Sequence, residues 1–191
     1  AEAGDREYGW IVHPLDGTTN YVHALPHYAV SLALAHRGRL LVGAVFNPAN
    51  GECFTAVEGQ GAFLNDRPIH VSRIDSLDQA LAAMGLPAGM TADSPDLKVL
   101  LKALFQCQSI RRTGSASLNL CYLAAGRFDV CWSFSTKVWD IAAGVLLIRE
   151  AGGTVAAVDG GPFSLDDPRL LAAANERLLA QLHAMVREAV A

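Results

Sequence analysis

The 191-residue sequence predicts an α/β protein in which two sheets are sandwiched by helices. Two observations carry this. The first third is a run of short apolar segments separated by turn residues, and the second half alternates strand-like with helix-like segments. Residues 8–12 form an apolar strand, and Pro14, which has no N–H to donate, is expected to stop its ladder. Residues 28–36 and 39–46 read as strands joined at Arg37-Gly38. Asn47 to Gly51 is a strong turn signal, after which residues 52–57 resume as a strand. Residues 76–83 begin helical and become a short strand. Residues 95–106 place Leu97, Leu100, Leu101 and Leu104 at helical spacing, one buried face. Residues 109–112 enter a turn at Gly114, and residues 115–125 form a helix stopped by Gly126. A buried strand at 128–132 precedes a helix at 140–151 that ends on Gly152-Gly153. Strands at 154–158 and 170–173 follow, and Asn175 caps a last helix running to Val190.

Length and composition narrow the class. The chain is long enough for one sizeable core, and a single domain over 1–191 is expected. A net charge of -4 with no Lys/Arg-rich run argues against a nucleic-acid surface. The apolar stretches are short and interrupted, so no membrane span is expected, and residues 1–9 are too polar and acidic for a signal peptide. Cys53, Cys107, Cys121 and Cys131 are scattered in apolar segments without C-x-x-C spacing, which suits free thiols in a reducing cytoplasm.

The stretch His13-Pro14-Leu15-Asp16-Gly17-Thr18-Thr19-Asn20 concentrates the chemistry. Asp16 can be offered to a cation, and Gly17 lets backbone approach a ligand, which suits phosphate and metal chemistry at a strand end. The same residue types also make ordinary turns and helix caps, so Thr18 and Thr19 are equally candidates for capping, and Asp140 for an N-cap beside Trp139.

Trp10 to Asn20 resembles the signature W-[IV]-x-D-P-[IL]-D-G-T-x-N of the inositol monophosphatase family, departing from it at His13. The family's W-D-x-A-A-G is matched by Trp139 to Gly144, followed by Glu150-Ala151-Gly152-Gly153. Between them stand Gly59-Gln60-Gly61-Ala62-Phe63 with Asn65, and Arg112-Thr113-Gly114-Ser115-Ala116. Four such stretches in order extend the resemblance over nearly the whole chain. It implies an alternating α-β-α-β-α sandwich, here without the N-terminal helices usual in relatives. The chain is therefore expected to be a fragment or a shortened relative with apolar surface uncovered.

The resemblance also implies a reaction: Mg²⁺-dependent hydrolysis of a small phosphorylated polyol or sugar, foremost inositol 1-phosphate, by a homodimer. Histidinol phosphate, fructose bisphosphate and nucleotide bisphosphate are alternative substrates. Carried over residue by residue, Asp16 and Asp140 are metal ligands, Leu15 offers a carbonyl, and Thr18 positions the attacking water together with Asp16. The amides of Gly17 and Thr18 face phosphate, while Gly114, Ser115, Ala116 and Asp140 contact the substrate. Two ligand positions depart. His13 stands where relatives have a bridging aspartate, and a neutral imidazole has one lone pair and no charge with which to bridge two Mg²⁺ ions. The relatives' E-E-x-G, aligned on Gly4, puts Ala1 on the ligand glutamate, leaving Glu2 as a substitute. Ser133 replaces the glutamate that holds ring hydroxyls. These departures leave a second expectation open, a catalytically silent relative that binds an anion or a protein partner.

Overall fold

A computed structural model describes residues 7–86 and 90–191. Eleven strands and five helices lie within them. The first sheet is an antiparallel meander of β1 (Gly9–Asp16), β2 (Ala29–His36), β3 (Arg39–Asn47), β4 (Glu52–Val57), β5 (Ala62–Leu64) and β6 (Arg67–Ile69), in that spatial order. A five-residue helix, α1 (Thr18–Val22), sits between β1 and β2. The second sheet is mixed. It takes β7 (Leu81–Met84), β8 (Ser109–Arg111), β9 (Val130–Ser133), β10 (Thr154–Ala157) and β11 (Leu170–Ala173) in the order β10-β11-β9-β7-β8. Its parallel pairs, β7 with β8 and β7 with β9, require crossovers, which α2 (Pro95–Gln106) and α3 (Ala116–Ala124) supply. The remaining helices are α4 (Val138–Glu150) and α5 (Glu176–Val190).

Burial explains the layering. Between the sheets lie α3 and α4, whose Leu118, Leu120, Leu123, Ile141, Val145 and Leu147 form one core with Ala33, Val45 and Phe54 of the first sheet. On the other side of the second sheet, α2 and α5 bury Val99, Ala103, Leu178, Leu182 and Met185 against Met84, Trp132 and Leu171. All four residues of β9 and of β11 are buried, and apart from Ser133 both strands are continuous apolar runs. The layers among the described residues are therefore β-α-β-α.

The outer face of the first sheet is apolar and half-covered. Trp10 pairs with Leu34, Val12 with Leu32, Val30 with Phe46 and Val42 with Val57, placing these side chains in adjoining rows on one face. Trp10 is 65% exposed and Phe46 42%. This is the uncovered surface the sequence led us to expect. By contrast, no described helix is long and apolar enough to cross a membrane.

Three expectations about local structure are corrected. Pro14 does not end β1, which runs on to Asp16. His13 pairs with Ser31 and Asp16 with Ala29, so three steps on β1 oppose two on β2. A bulge on an edge strand absorbs the missing donor. The buried face of α2 is not the leucine row. Val99 and Ala103 are buried with Asp96, whereas Leu101 and Leu104 are exposed, because the small residues allow close approach to α5 and β8. Asp96 takes its place inside by accepting a hydrogen bond from Phe134 N at 3.2 Å. Finally, α1 has no side-chain cap from Thr18 or Thr19; its N-cap is Gly17. The cysteines are free as expected, and burial pushes the Cys131 thiol up to about 12.

Candidate active site

The end of β1 turns into α1 through Gly17, which has φ 78°. A Cβ there would stand 2.9 Å from His27 O, so the position excludes other residues by backbone strain and by crowding. The turn aims Asp16 inward. Asp16 is 7% exposed, and its Oδ2 accepts hydrogen bonds from Ser115 Oγ at 2.6 Å and Ser117 N at 2.8 Å. Both donors belong to the start of α3, where Ser115 is also the N-cap, accepting from Leu118 N at 3.2 Å. Ser117 Oγ in turn donates to Asp140 O at 2.9 Å. One helix start thus fixes Asp16 and reaches the first turn of α4.

Asn20 braces the same turn. It is buried, and its Nδ2 donates to His27 O at 2.7 Å and Thr113 O at 2.8 Å. Gly114, with φ 86°, passes directly over it; a Cβ there would meet Asn20 Nδ2 at 2.8 Å. The first signature and the Gly114 turn, 93 residues apart, are locked together by this one amide. Glu150 does the same elsewhere, accepting from Gly59 N and Gly61 N at 2.8 Å each.

Asp140 is at the third position of α4, not its N-cap, which is Lys137. Its Oδ2 accepts from Lys137 N at 2.8 Å, half of a capping box. Oδ1 faces His13 Nδ1 at 3.1 Å. That contact is within ion-pair distance but lacks hydrogen-bond alignment, leaving Nδ1 buried without a hydrogen-bond partner. Burial holds the Asp140 carboxyl above its usual range, and the Lys137 amide and His13 partly oppose this. His13, Asp16 and Asp140 each offer one ligand atom, and the three atoms lie within 4.8 Å of one another. This donor set fits a divalent cation.

The other expected residues fall around this cluster. Leu15 lies in the bulged step of β1, and Thr18 is exposed at the first position of α1. Thr18 N is among the amides that a helix start leaves without an intrahelical partner. Ser115 is 1% exposed, with its hydroxyl engaged by Asp16 and Leu118. Ser133 closes β9 and, with Ala116, Asn119 and Thr136, lines a narrow recess of about 10 Å³. A groove of about 420 Å³ between α2 and α5 holds none of the candidate residues. Glu2, like Ala1, lies outside the described residues. Ser117 and Asn20 were given no role by sequence reasoning. The position of Asn20 inside the signature was a usable signal, whereas nothing marked Ser117.

Two carboxylates and an imidazole converge at a strand end, beside one helix start and tied to another, a grouping that could hold a metal ion in a layered α/β fold. The chain belongs to the inositol monophosphatase family, whose sequence profile matches residues 1–191. It is 44% identical over 172 residues to an inositol-1-monophosphatase of Mesorhizobium japonicum, covering 90% of this chain and 65% of that one. It is also 44% identical over 174 residues to the Nus factor SuhB of Pasteurella multocida, covering 91% and 65%. Among solved structures, the inositol monophosphatase of Anabaena superposes with a TM-score of 0.92 at 36% identity, covering 97% of this chain and 73% of that one. The chain spans about 65% of the length of the first two relatives.

Proposed function

We propose that the chain is a metal-dependent phosphomonoesterase, one domain over 1–191, acting on inositol 1-phosphate with Mg²⁺. The observation that carries this reading is the convergence of Asp16, Asp140 and His13 within 4.8 Å, at the residues the family signatures mark. A bound divalent cation would neutralise phosphoryl oxygens and acidify a water. The protein's own part is positional. Asp16 and Asp140, with the Leu15 carbonyl, hold the cation; Glu2 is a further candidate ligand. Thr18, with Asp16, orients the attacking water. The amides of Gly17 and Thr18 receive the phosphate, and Gly114, Ser115, Ala116, Ser133 and Asp140 form the substrate side. Ser133 supplies a hydroxyl and no charge, which keeps histidinol phosphate, fructose bisphosphate and nucleotide bisphosphate as alternatives.

Homodimerisation is part of the proposal, supported by the apolar rows around Trp10 and Phe46, and so is a cytoplasmic setting. His13 favours a second reading, a weakly active or silent member that binds an anion or a protein partner. Relatives bearing the name Nus factor SuhB are compatible with such a role. Phosphate release from inositol 1-phosphate and from an aryl phosphate, with and without Mg²⁺, tests the choice. Low turnover that His13→Asp raises at least tenfold, about 1.4 kcal/mol, supports the phosphatase reading. No turnover in either protein supports the silent one.

A further inference from the structure

Mg²⁺ takes oxygen ligands and holds them chiefly by charge, whereas an imidazole nitrogen is a borderline donor suited to Zn²⁺, Co²⁺ and Ni²⁺. One of the three protein donors here is a nitrogen. His13 Nδ1 is buried, has no hydrogen-bond partner, and stands 3.1 Å from Asp140 Oδ1 out of hydrogen-bond alignment. Two ligands of one ion with bonds of 2.0–2.1 Å stand about 3 Å apart, so this spacing is that of two donors aimed at a common point. The pairing of His13 with Ser31 in the ladder sets the ring's origin, and the Lys137 amide sets the Asp140 carboxylate. Asp16 is fixed by Ser115 and Ser117, so both carboxylates are held by hydrogen bonds and the imidazole by its place in the ladder. One imidazole and two carboxylates also carry one negative charge fewer than three carboxylates would. That loss weakens a hard cation most. Three protein ligands is moreover the number found in zinc sites that keep an open position.

We infer that this cage selects a borderline first-row divalent ion of the Zn²⁺ and Co²⁺ class over Mg²⁺. His13 serves one such ion, because Nδ1 presents a single lone pair and cannot bridge two. The inference rests on the reading of these three residues as the metal cage, and changes the ion that the cage prefers.

Calorimetric titration of the metal-free chain with ZnCl₂ and, separately, MgCl₂ tests it, with CoCl₂ as a spectroscopic probe. Expected are one Zn²⁺ bound at least about a hundredfold more tightly than Mg²⁺ and Co²⁺ d–d bands without a thiolate charge-transfer band. His13→Asp should narrow the Zn²⁺-to-Mg²⁺ ratio at least about tenfold, and His13→Gln should weaken Zn²⁺ by a similar factor. In the unaltered chain, Zn²⁺ should shift the Nδ1 resonance of one histidine, a readout that needs no variant. Equal or tighter Mg²⁺ binding, or Zn²⁺ binding indifferent to both substitutions, would overturn the inference. The titrations contain no substrate. A Zn²⁺-selective cage without hydrolysis therefore removes only the phosphatase reading, and efficient hydrolysis with Mg²⁺ bound more tightly removes only the ion preference.

Discussion

Asp16 and His13 stand three residues apart on one strand and face the same cage, yet the fold treats them differently. Asp16 is buried and receives two hydrogen bonds from the start of α3. His13 has only a misaligned neighbour, Asp140 Oδ1, and its Nδ1 goes without a hydrogen-bond partner. The difference separates what the fold needs from what the site needs. Asp16 serves both, because Ser115 Oγ and Ser117 N would be buried without an acceptor if it were absent. His13 makes no such hydrogen bond, so its identity can change with little cost to the rest of the molecule.

The comparison is broken most directly at Asp16. Asp16→Ala should destabilise the chain by about 2–4 kcal/mol in denaturant unfolding, the cost of orphaning two buried donors. Asp16→Asn keeps an acceptor oxygen and should lose less than about 1 kcal/mol, although it removes the charge a cation requires. Equal losses in the two variants would mean that the hydrogen bonds to α3 do not anchor the strand end. Next in size is Gly114→Ala. The residue's φ of 86° and its 2.8 Å approach to Asn20 Nδ2 should together cost about 2 kcal/mol. The added methyl should also lower metal affinity by displacing the brace between the two signatures. A variant as stable as the parent would show that the turn yields without moving Asn20.

His13→Asp sharpens the comparison from the other side. Three carboxylates converging without a cation repel one another, so the metal-free variant should be less stable by about 1 kcal/mol. Saturating Mg²⁺ should restore more stability to the variant than to the parent, since ligand bound only to the folded state adds RT ln(1 + [L]/Kd). Thermal melts with and without Mg²⁺ measure both effects. A metal-free variant as stable as the parent would place the new carboxylate outside the cage.

The same contrast explains what was legible in the sequence. The ends of β4, α2 and β11 follow from apolar periods and turn residues, so the two-sheet layering could be read from local pattern. The β1 bulge could not, because Pro14 reads as a stop unless the register of β2 is known. The buried face of α2 was misread for a related reason. Leucines at helical spacing look like core, but the packing against α5 uses Val99 and Ala103, and only the partner helix determines that. In the site, Asp16, Asp140 and His13 were singled out by the resemblance to the family signatures, and the structure brings them together. Ser117 was not, since it meets Asp16 through a backbone amide, which leaves no mark in a sequence, and its hydroxyl meets only the Asp140 carbonyl. The expectation that Thr18 or Thr19 caps α1 failed because Gly17, already required for the turn, occupies the cap position.

The smallest expected effect concerns the braced side of the site. His27 follows α1, its carbonyl accepts from Asn20 Nδ2, and its ring meets Tyr122 edge-on at 5.7 Å. Its Nε2 is buried without a hydrogen-bond partner. Burial pushes the imidazole pKa below its usual value, with Asp16 and Glu52 opposing the shift. A base whose folded pKa is depressed takes up its proton more readily in the unfolded chain. The corresponding stability is therefore full above the unfolded value, about 6.5, and is lost as pH falls below it toward the folded pKa. Unfolding midpoints at pH 8 and pH 5.5 should differ more in the parent than in His27→Phe, which keeps the aromatic contact and removes the titration. The difference of differences cancels the other histidines. Equal pH dependence in the two proteins would show that the ring takes its proton without leaving Tyr122. A smaller dependence in the variant would locate an acid-sensitive joint beside Asn20, on the half of the site that the fold holds in place, while the His13 half answers chiefly to the cation.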